Sequence, residues 1–447
     1  MPNLALLIAG LIPLAYVAML IRRYGVSEAL SLRVIGVMFL WIGYHLSPWL
    51  FFLTGEQWDY FLLVPQHINT ALAFSTLSSL LFLIGYSSIF KRRLARMRAE
   101  RIGFETISVS TLLVAFLACV LLAVVLVSVG GVAELWSATV YRGEGQFEER
   151  HGAEKIAQVI AVLRAPLTIA VVLASGFLIL GSSYSRLKFW IGHLGLIIAS
   201  LHGFYFFSRA AGFPLILVAF MGLRMKGRRG LPYALLLISL ALFMGSVGLH
   251  YRGGYQGVGN YLAAAGDSLA RLTEGGGRHV QSSAQFVNPL DSVAPFTKVV
   301  ELGARPGEDQ SILALKFLWN LNPLPSEFVP LFEIGEGLAS AMGTWGSTGL
   351  TTPALAQMYQ VFGYWGSAGM LIVGMLCGWC EKRAVLRPSL LSSLNVLLFF
   401  AAFPIGLHSS ARAMTRPFVY GAVLILIARF RWKARHGVPR TWSETFR

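Results

Sequence analysis

Between Phe189 and Leu223 the chain carries a single charged residue, Arg209, in an otherwise apolar run. Stretches of this kind recur along the sequence and constrain the fold more than any motif does. A bilayer accepts a backbone only when its polar groups are paired internally, so about 20 consecutive apolar residues read as a spanning helix. Windows of that length mark eleven candidate spans, at 2–21, 34–54, 67–90, 106–130, 156–181, 189–207, 209–223, 231–249, 353–376, 389–406 and 417–430. Composition agrees: 55% of 447 residues are hydrophobic and 13% charged, whereas soluble globular domains carry about 25% charge. The expected fold class is an all-α polytopic membrane protein with about eleven transmembrane helices. Spans 209–223 and 417–430 are shorter than a full crossing and must tilt, extend or break. Residues 2–21 lack a basic leader and a small-x-small cleavage site before Arg22-Arg23, so they read as a first membrane helix and not as a signal peptide.

Charge orients the set. The loops after the odd-numbered spans hold 24 of the 37 Lys and Arg residues and only five of the 21 acidic ones (Glu28, Glu100, Glu105, Glu381, Glu444). Short basic loops stay in the cytoplasm, which predicts an external N-terminus and a cytoplasmic C-terminus. The pI of about 10.0 is therefore a topology signal and does not imply nucleic-acid binding; attraction to anionic membrane lipid is a smaller second effect. Three divisions follow: membrane helices 1–8 in 1–249, a large external loop forming a cap in 250–352, and the remaining helices with a cytoplasmic tail in 353–447. The loop is too long to be structureless in a compact protein and is expected to fold on the membrane surface. Within it, EDQSILALKFLWNL (308–321) has apolar residues at helical spacing, and NPLPSEFVP (322–330) is a Pro-punctuated turn.

Both flanks of the 189–223 run are basic, with Arg186 and Lys188 before it and Arg224, Lys226, Arg228 and Arg229 after it. The chain must enter and return, and SRAAGFP supplies the reversal through Gly212 and Pro214. Arg209 sits at its tip, and either snorkels to the interface or, between short spans, lies below the headgroup plane, where an unpaired guanidinium costs at least about 2.5 kcal/mol. Arg142, Arg164, Arg252, Arg412 and Arg416 also lie at or near outer helix ends. Guanidinium forks suit bidentate recognition of carboxylate or phosphate in partly dry surroundings. These arginines either pair with loop acids or form a site for the anionic head of a lipid.

SRAAGFPLILVAFMGL followed by a basic loop, a long external loop containing NPLPSEFVP, and TTPALAQMYQVFGYWGSAGMLIVGMLCG resemble the oligosaccharide repeat-unit polymerases, the Wzy-type O-antigen and exopolysaccharide polymerases of bacteria. The likeness covers about 190–385 in detail and the rest in topology. It departs at Gln357, where a carboxylate is expected. The resemblance implies a GT-C-like fold in the bacterial inner membrane. It implies a metal-independent glycosyltransferase that moves a growing glycan from undecaprenyl pyrophosphate to a hydroxyl of another lipid-linked repeat unit, with a chain-length regulator as a candidate partner. Arg142, Arg164, Arg209, Arg252, Arg412 and Arg416 then bind the pyrophosphate, and His250, Glu333 or Glu336 is the catalytic base.

Other chemistries lack their residues. No Asp-x-Asp, His-Glu-x-x-His or Cys/His metal spacing occurs, so neither a metal nor another cofactor is expected. CGWC (377–380) and the Gly374/Gly378 pair read as small packing residues of a helix contact, and His45, His67, His193 and His202 as hydrogen-bonded packing residues. Two rival functions share the same cationic requirement: a flippase for lipid-linked oligosaccharides, and an O-antigen ligase that differs only in its acceptor.

Overall fold

The computed structural model describes residues 2–54, 65–91, 109–137, 153–181, 185–205, 209–250, 256–273, 292–302, 309–322, 352–386, 390–408, 411 and 414–419. Every regular element among them is helical. Six helices are long and apolar enough to cross a membrane, and 167–180 and 231–247 are shorter apolar helices. Several turn large apolar side chains outward, among them Leu112, at 81% exposure, and Phe116. A helix apolar all round is stable in lipid, not in water, so the chain is an all-α membrane protein.

The first span is α1 (Leu4–Ala9) and α2 (Leu11–Tyr24), joined at Gly10. The second is α3 (Leu32–Trp41), a π-helical turn (Ile42–Leu46) and α4 (Ser47–Thr54). There follow α5 (Pro65–Ile89), α6 (Thr111–Val129) with the short α7 (Val132–Trp136), α8 (Ala153–Leu180) and α9 (Arg186–Tyr205). A 3-10 turn (Arg209–Gly212) leads into α10 (Phe213–Lys226), and α11 (Leu231–His250) completes the first part. The long loop contributes α12 (Val258–Thr273), α13 (Val293–Leu302) and α14 (Gln310–Asn320). Last come α15 (Ala354–Phe362), a 3-10 turn (Gly363–Ser367), α16 (Ala368–Leu386) and α17 (Leu390–His408).

Among the described residues α5 and α16 make the most extensive helix contact, and glycines explain why. A Cβ on Gly374 would overlap the Phe82 carbonyl oxygen, one on Gly85 would overlap that of Leu371, and one on Gly378 would lie 2.8 Å from that of Tyr86. The two helices run parallel with backbone against backbone, the arrangement small residues permit in lipid. Cys377 and Cys380 are buried.

The ends of α5, α10 and α16 and the start of α3 meet at one end of the bundle, here called the basic end. Glu28 and Glu381 are fully buried there, with Arg33 at 5% exposure. Arg33 pairs with Glu28 at 2.6 Å and stacks over the Tyr86 ring at 5.1 Å. Glu381 accepts from the Leu32 N–H at 3.1 Å, from Arg224 at 3.3 Å and from the Tyr86 hydroxyl. Arg224 also donates to the Leu30 carbonyl at 2.8 Å. Four groups that the charge count treats as loop charges are thus an interior knot of matched sign.

Two other expectations change. The window 353–376 is not one span: Gly363 has φ 57°, a left-handed conformation that glycine adopts freely. A Cβ on Gly366 would overlap the backbone of Met358, so α15 folds back and the membrane helix proper is 368–386. The segment 293–302, part of the expected surface cap, is instead inserted. Val293, Phe296 and Val299 are buried, and Phe296 packs on Phe74, Tyr44 and Tyr359. The Ser292 N–H donates to the Gly43 carbonyl at 2.8 Å, about 16 Å along the second span from its basic end. A π turn would pair this carbonyl with the N–H of residue 48, but residue 48 is proline and has none, and the loop supplies a donor.

The expected helix at 308–321 is present as α14. It buries Leu313 and Phe317 and exposes Ile312, Leu315, Leu318 and Trp319, a face suited to lipid. Asp309 caps it, accepting from the Ser311 N–H at 2.9 Å. Those Ser311 hydrogen bonds hold the Asp309 carboxyl below the usual range. A depressed folded pKa means the cap operates above the ordinary carboxylate range and is lost as pH falls through the folded value. Faster hydrogen exchange at the first turn of α14 in acid, absent in Asp309→Ala, is the expected result; equal exchange across pH in the wild type contradicts it.

Candidate functional site

The half-length α10 organises the end opposite the basic one. It is 14 residues long, about 21 Å, and it runs antiparallel to α11, with Gly222 beside Gly230 and Gly212 packed on the backbone of Ala241. His250, the last residue of α11, lies nine residues further on, about 14 Å beyond that contact. The reversal at Arg209 is therefore sunk well below the end of its neighbour, as its short flanking spans imply. Arg209 and His250 are described through their backbones alone.

Helix registers identify what shares that level. Gly192 and Gly195 of α9 pack on Ile179 and Ser175 of the antiparallel α8. Eleven residues back along α8 stands Arg164, and ten residues on along α9 stands its last residue, Tyr205. On the parallel neighbour, Gly176 packs on Val218 and Met221 of α10, so Phe213 at the start of α10 is level with 168–171 of α8, and Arg164 stands four to seven residues beyond it. Two independent registers thus put Arg164 at the same end of the bundle as the Arg209 turn. Gly203, one residue beyond His202, packs on Ala211 at 2.6 Å for an added Cβ, which brings His202 to the same place. Arg164 is partly buried and interacts electrostatically with His202.

The long loop returns to this level. Gly257, at φ 131°, donates its N–H to the Tyr205 carbonyl at 3.1 Å, and Gln256 beside it is buried. The start of α12 is thereby tied to the end of α9. Arg252 precedes Gln256 by four residues and, like Arg142, Arg412, Glu333 and Glu336, lies outside the described residues.

Arg416 reaches the level from the other side of α10. Phe220 of α10 stacks on Phe400 of the antiparallel α17, with ring centroids 4.1 Å apart and planes within 4°. Seven residues onward lie Phe213 and Leu407, and Met414 packs on Gly406. The segment bearing Arg416 is fixed by three contacts. Ala411 N–H donates to Gln357 Oε1 at 2.9 Å, the Thr415 hydroxyl donates to the Leu321 carbonyl at 3.1 Å, and Phe418 packs on Phe399. Where a carboxylate is expected, Gln357 serves as a backbone anchor.

Arg164, Arg209 and Arg416 therefore stand around the sunken end of α10, with His202 added to the set. Sequence reading assigned His202 to packing; its one available signal is its place just before the reversal. His45 and His193 are packing residues: His45 bonds Ser75 at 3.0 Å, and His193 joins Tyr233 at 3.1 Å and the Phe189 carbonyl at 2.7 Å. Among the described residues no group of His, Cys, Asp and Glu could hold a metal. Guanidinium groups at this depth can hold a phosphate or diphosphate in low dielectric. No protein-family model, curated protein or solved structure matches the chain.

Proposed function

We propose that this protein polymerises undecaprenyl-pyrophosphate-linked oligosaccharide repeat units at the outer face of the bacterial inner membrane, with its basic end cytoplasmic and about eleven spans in a GT-C-like arrangement. One observation supports the reading: helix registers bring Arg164, the Arg209 turn and the Arg416 segment to the same end of the bundle. In the reaction an acceptor hydroxyl oxygen attacks the anomeric carbon, the bond from that carbon to phosphate oxygen breaks, and the electron pair leaves with the diphosphate. Charge gathers on the leaving group as the bond breaks, so fixed guanidinium groups favour the departing state over the ground state. The hydroxyl proton passes to a base, for which His250, Glu333 and Glu336 are the candidates. The resemblance of 190–385 to repeat-unit polymerases supports the same chemistry.

Packing favours an enzyme over a flippase. Alternating access needs two bodies that rock apart, but α5 and α16, from opposite ends of the chain, are interlocked through glycine, and α10 packs on both α8 and α17. Deleting the protein from its host tests the assignment. Surface polysaccharide reduced to single repeats is the expected outcome; lipid-linked units retained on the cytoplasmic face point to a flippase, and unattached full-length polymer points to a ligase. At residue level, Arg209→Lys keeps the charge and loses the fork. Membrane insertion should be unchanged and polymerisation at least about tenfold slower, the equivalent of ~1.4 kcal/mol of barrier. Wild-type polymer lengths in that variant remove Arg209 from the site.

A further inference from the structure

A membrane helix matches the thickness of its bilayer through the length of its lipid-facing stripe and the polar and aromatic residues at the two ends of that stripe. On the first span the stripe runs from Leu4 to Arg22, about 27 Å. On α6, Thr111–Val129 holds no charged residue and is also about 27 Å long. Both lengths fit a hydrocarbon core of about 30 Å. The stripe on α16 is shorter.

Its exposed residues are Trp365, Ala368, Ile372, Leu376, Trp379 and Lys382, three or four apart and so on one face. At the basic end the Arg383 guanidinium lies 5.9 Å from the Trp379 ring, and with Lys382 beside it the pair has the composition of a headgroup boundary. At the other end Trp365 is 87% exposed and Tyr364 48%. Neither the indole N–H nor the phenol hydroxyl has a hydrogen-bond partner among the described residues. Such groups are costly inside hydrocarbon and settle at its edge. Trp365 precedes Trp379 by fourteen residues, about 21 Å, which leaves the apolar band about 9 Å short of a full core. A second register agrees. The Tyr364 ring lies 6.3 Å from that of Phe74, and Phe74 stands seven residues, about 10 Å, inside the apolar span His67–Ile89. Phe296 of the inserted α13 packs on Phe74 there, so protein, not lipid, lies against α5 at that depth.

The Arg209 turn stands at the same level as this aromatic turn. Arg224 and Glu381 pair at 3.3 Å and give α10 and α16 a common reference at the basic end. Arg209 precedes Arg224 by fifteen residues, and Trp365 precedes Glu381 by sixteen. We propose that the short α16 stripe and the Tyr364-Trp365 turn above it thin the leaflet opposite the basic end, drawing lipid headgroups down to the level of the Arg209 turn. A bilayer meets a short apolar band by thinning, at a modest cost per ångström, and tilting α16 would only shorten its projection further. The consequence is that a lipid phosphate on this face reaches a depth that a bilayer of full thickness leaves in hydrocarbon. The thinning acts on any lipid and does not depend on the polymerase reading.

The test is the depth of a nitroxide on the full-length protein in dioleoylphosphatidylcholine nanodiscs, read from its relative accessibility to oxygen and to a nickel chelate. Native Cys119, exposed on α6, carries the deep reference label, and Ala368→Cys in a Cys119→Ala background carries the test label; Cys377 and Cys380 are buried. The label at 368 should lie about 5 Å below the hydrocarbon boundary, whereas a bilayer of full thickness places it at about 13 Å. A reading near 13 Å overturns the proposal. Shielding from both reagents overturns it as well, because protein then covers the stripe. Adding Tyr364→Phe and Trp365→Leu removes the polar handles and should move the label about 8 Å deeper, back to the full-thickness position; an unchanged depth shows that this turn does not set the boundary and the proposal falls. A shallow label in a protein that does not polymerise spares the thinning and sinks the polymerase reading. Polymerisation with a label near 13 Å does the reverse.

Discussion

Gly374→Leu is expected to leave no monodisperse protein in a detergent extract, because it forces a side chain into the backbone contact between α5 and α16. In lipid there is no hydrophobic gain from bringing two apolar helices together, so their association depends on how closely backbones approach. Gly374, with Gly85, is where that approach is closest. The first atom of any side chain there would overlap the Phe82 carbonyl oxygen and come within 2.9 Å of the Tyr86 nitrogen. Neither is the end of a flexible side chain, so relief requires the two helices to part. Overpacking usually costs about 1–3 kcal/mol where side chains can adjust. Gly374→Ala should reach at least that, and Leu should exceed what the fold can absorb. Gly369 supplies the control, because a Cβ there meets only the Met358 side chain at 3.3 Å, and Gly369→Ala should be near neutral. Fluorescence-detected size exclusion of the three variants settles the order; a normal Gly374→Leu peak means the two helices do not meet as described.

All-helical membrane character was legible because length and hydropathy alone define a membrane helix. Six helices among the described residues are long and apolar enough to cross, 167–180 and 231–247 are shorter apolar helices, and most of 417–430 lies outside the described residues. The reversal at Arg209 was legible for a related reason: basic residues on both flanks force the chain to turn back. Charge counting was blind to pairing, however. It placed Glu28, Arg33, Arg224 and Glu381 on the correct end of the bundle but could not show that they leave solvent and neutralise one another. The break at Gly363 was hidden because the apolar run continues through it, and only a positive φ reveals the fold-back. Likewise VAPFTKVVEL has the spacing of a surface helix, and its insertion shows only in contacts with residues some 220–250 positions earlier in the chain, the Gly43 carbonyl and the Tyr44 and Phe74 rings. Gly374 and Gly378 announced a helix contact without naming α5 as its partner. For the site, the sequence supplied the arginines as candidates; grouping them required the registers of α8, α9, α10 and α17.

Glu381→Ala should destabilise the protein by about 3–5 kcal/mol, because it breaks a buried charge cluster by removing one side of it. Three donors converge on this carboxylate: the Leu32 N–H, the Tyr86 hydroxyl and Arg224. Arg224 keeps the Leu30 carbonyl, but its positive charge loses the facing carboxylate. The consequence is wider than one pair, since the cluster ties α3, α5, α10 and α16 together at the basic end. Tyr86→Phe removes a single hydroxyl and leaves the charges matched, so it should cost only about 1–3 kcal/mol. Pairing Glu381→Gln with Arg224→Met removes both signs at once and should recover much of the loss, since replacing a buried ion pair by groups of similar volume is often close to neutral. Thermal unfolding of the purified protein in detergent gives the ranking. Equal stability of Glu381→Ala and wild type would show that water reaches this cluster, and the knot would then be a set of solvated loop charges after all.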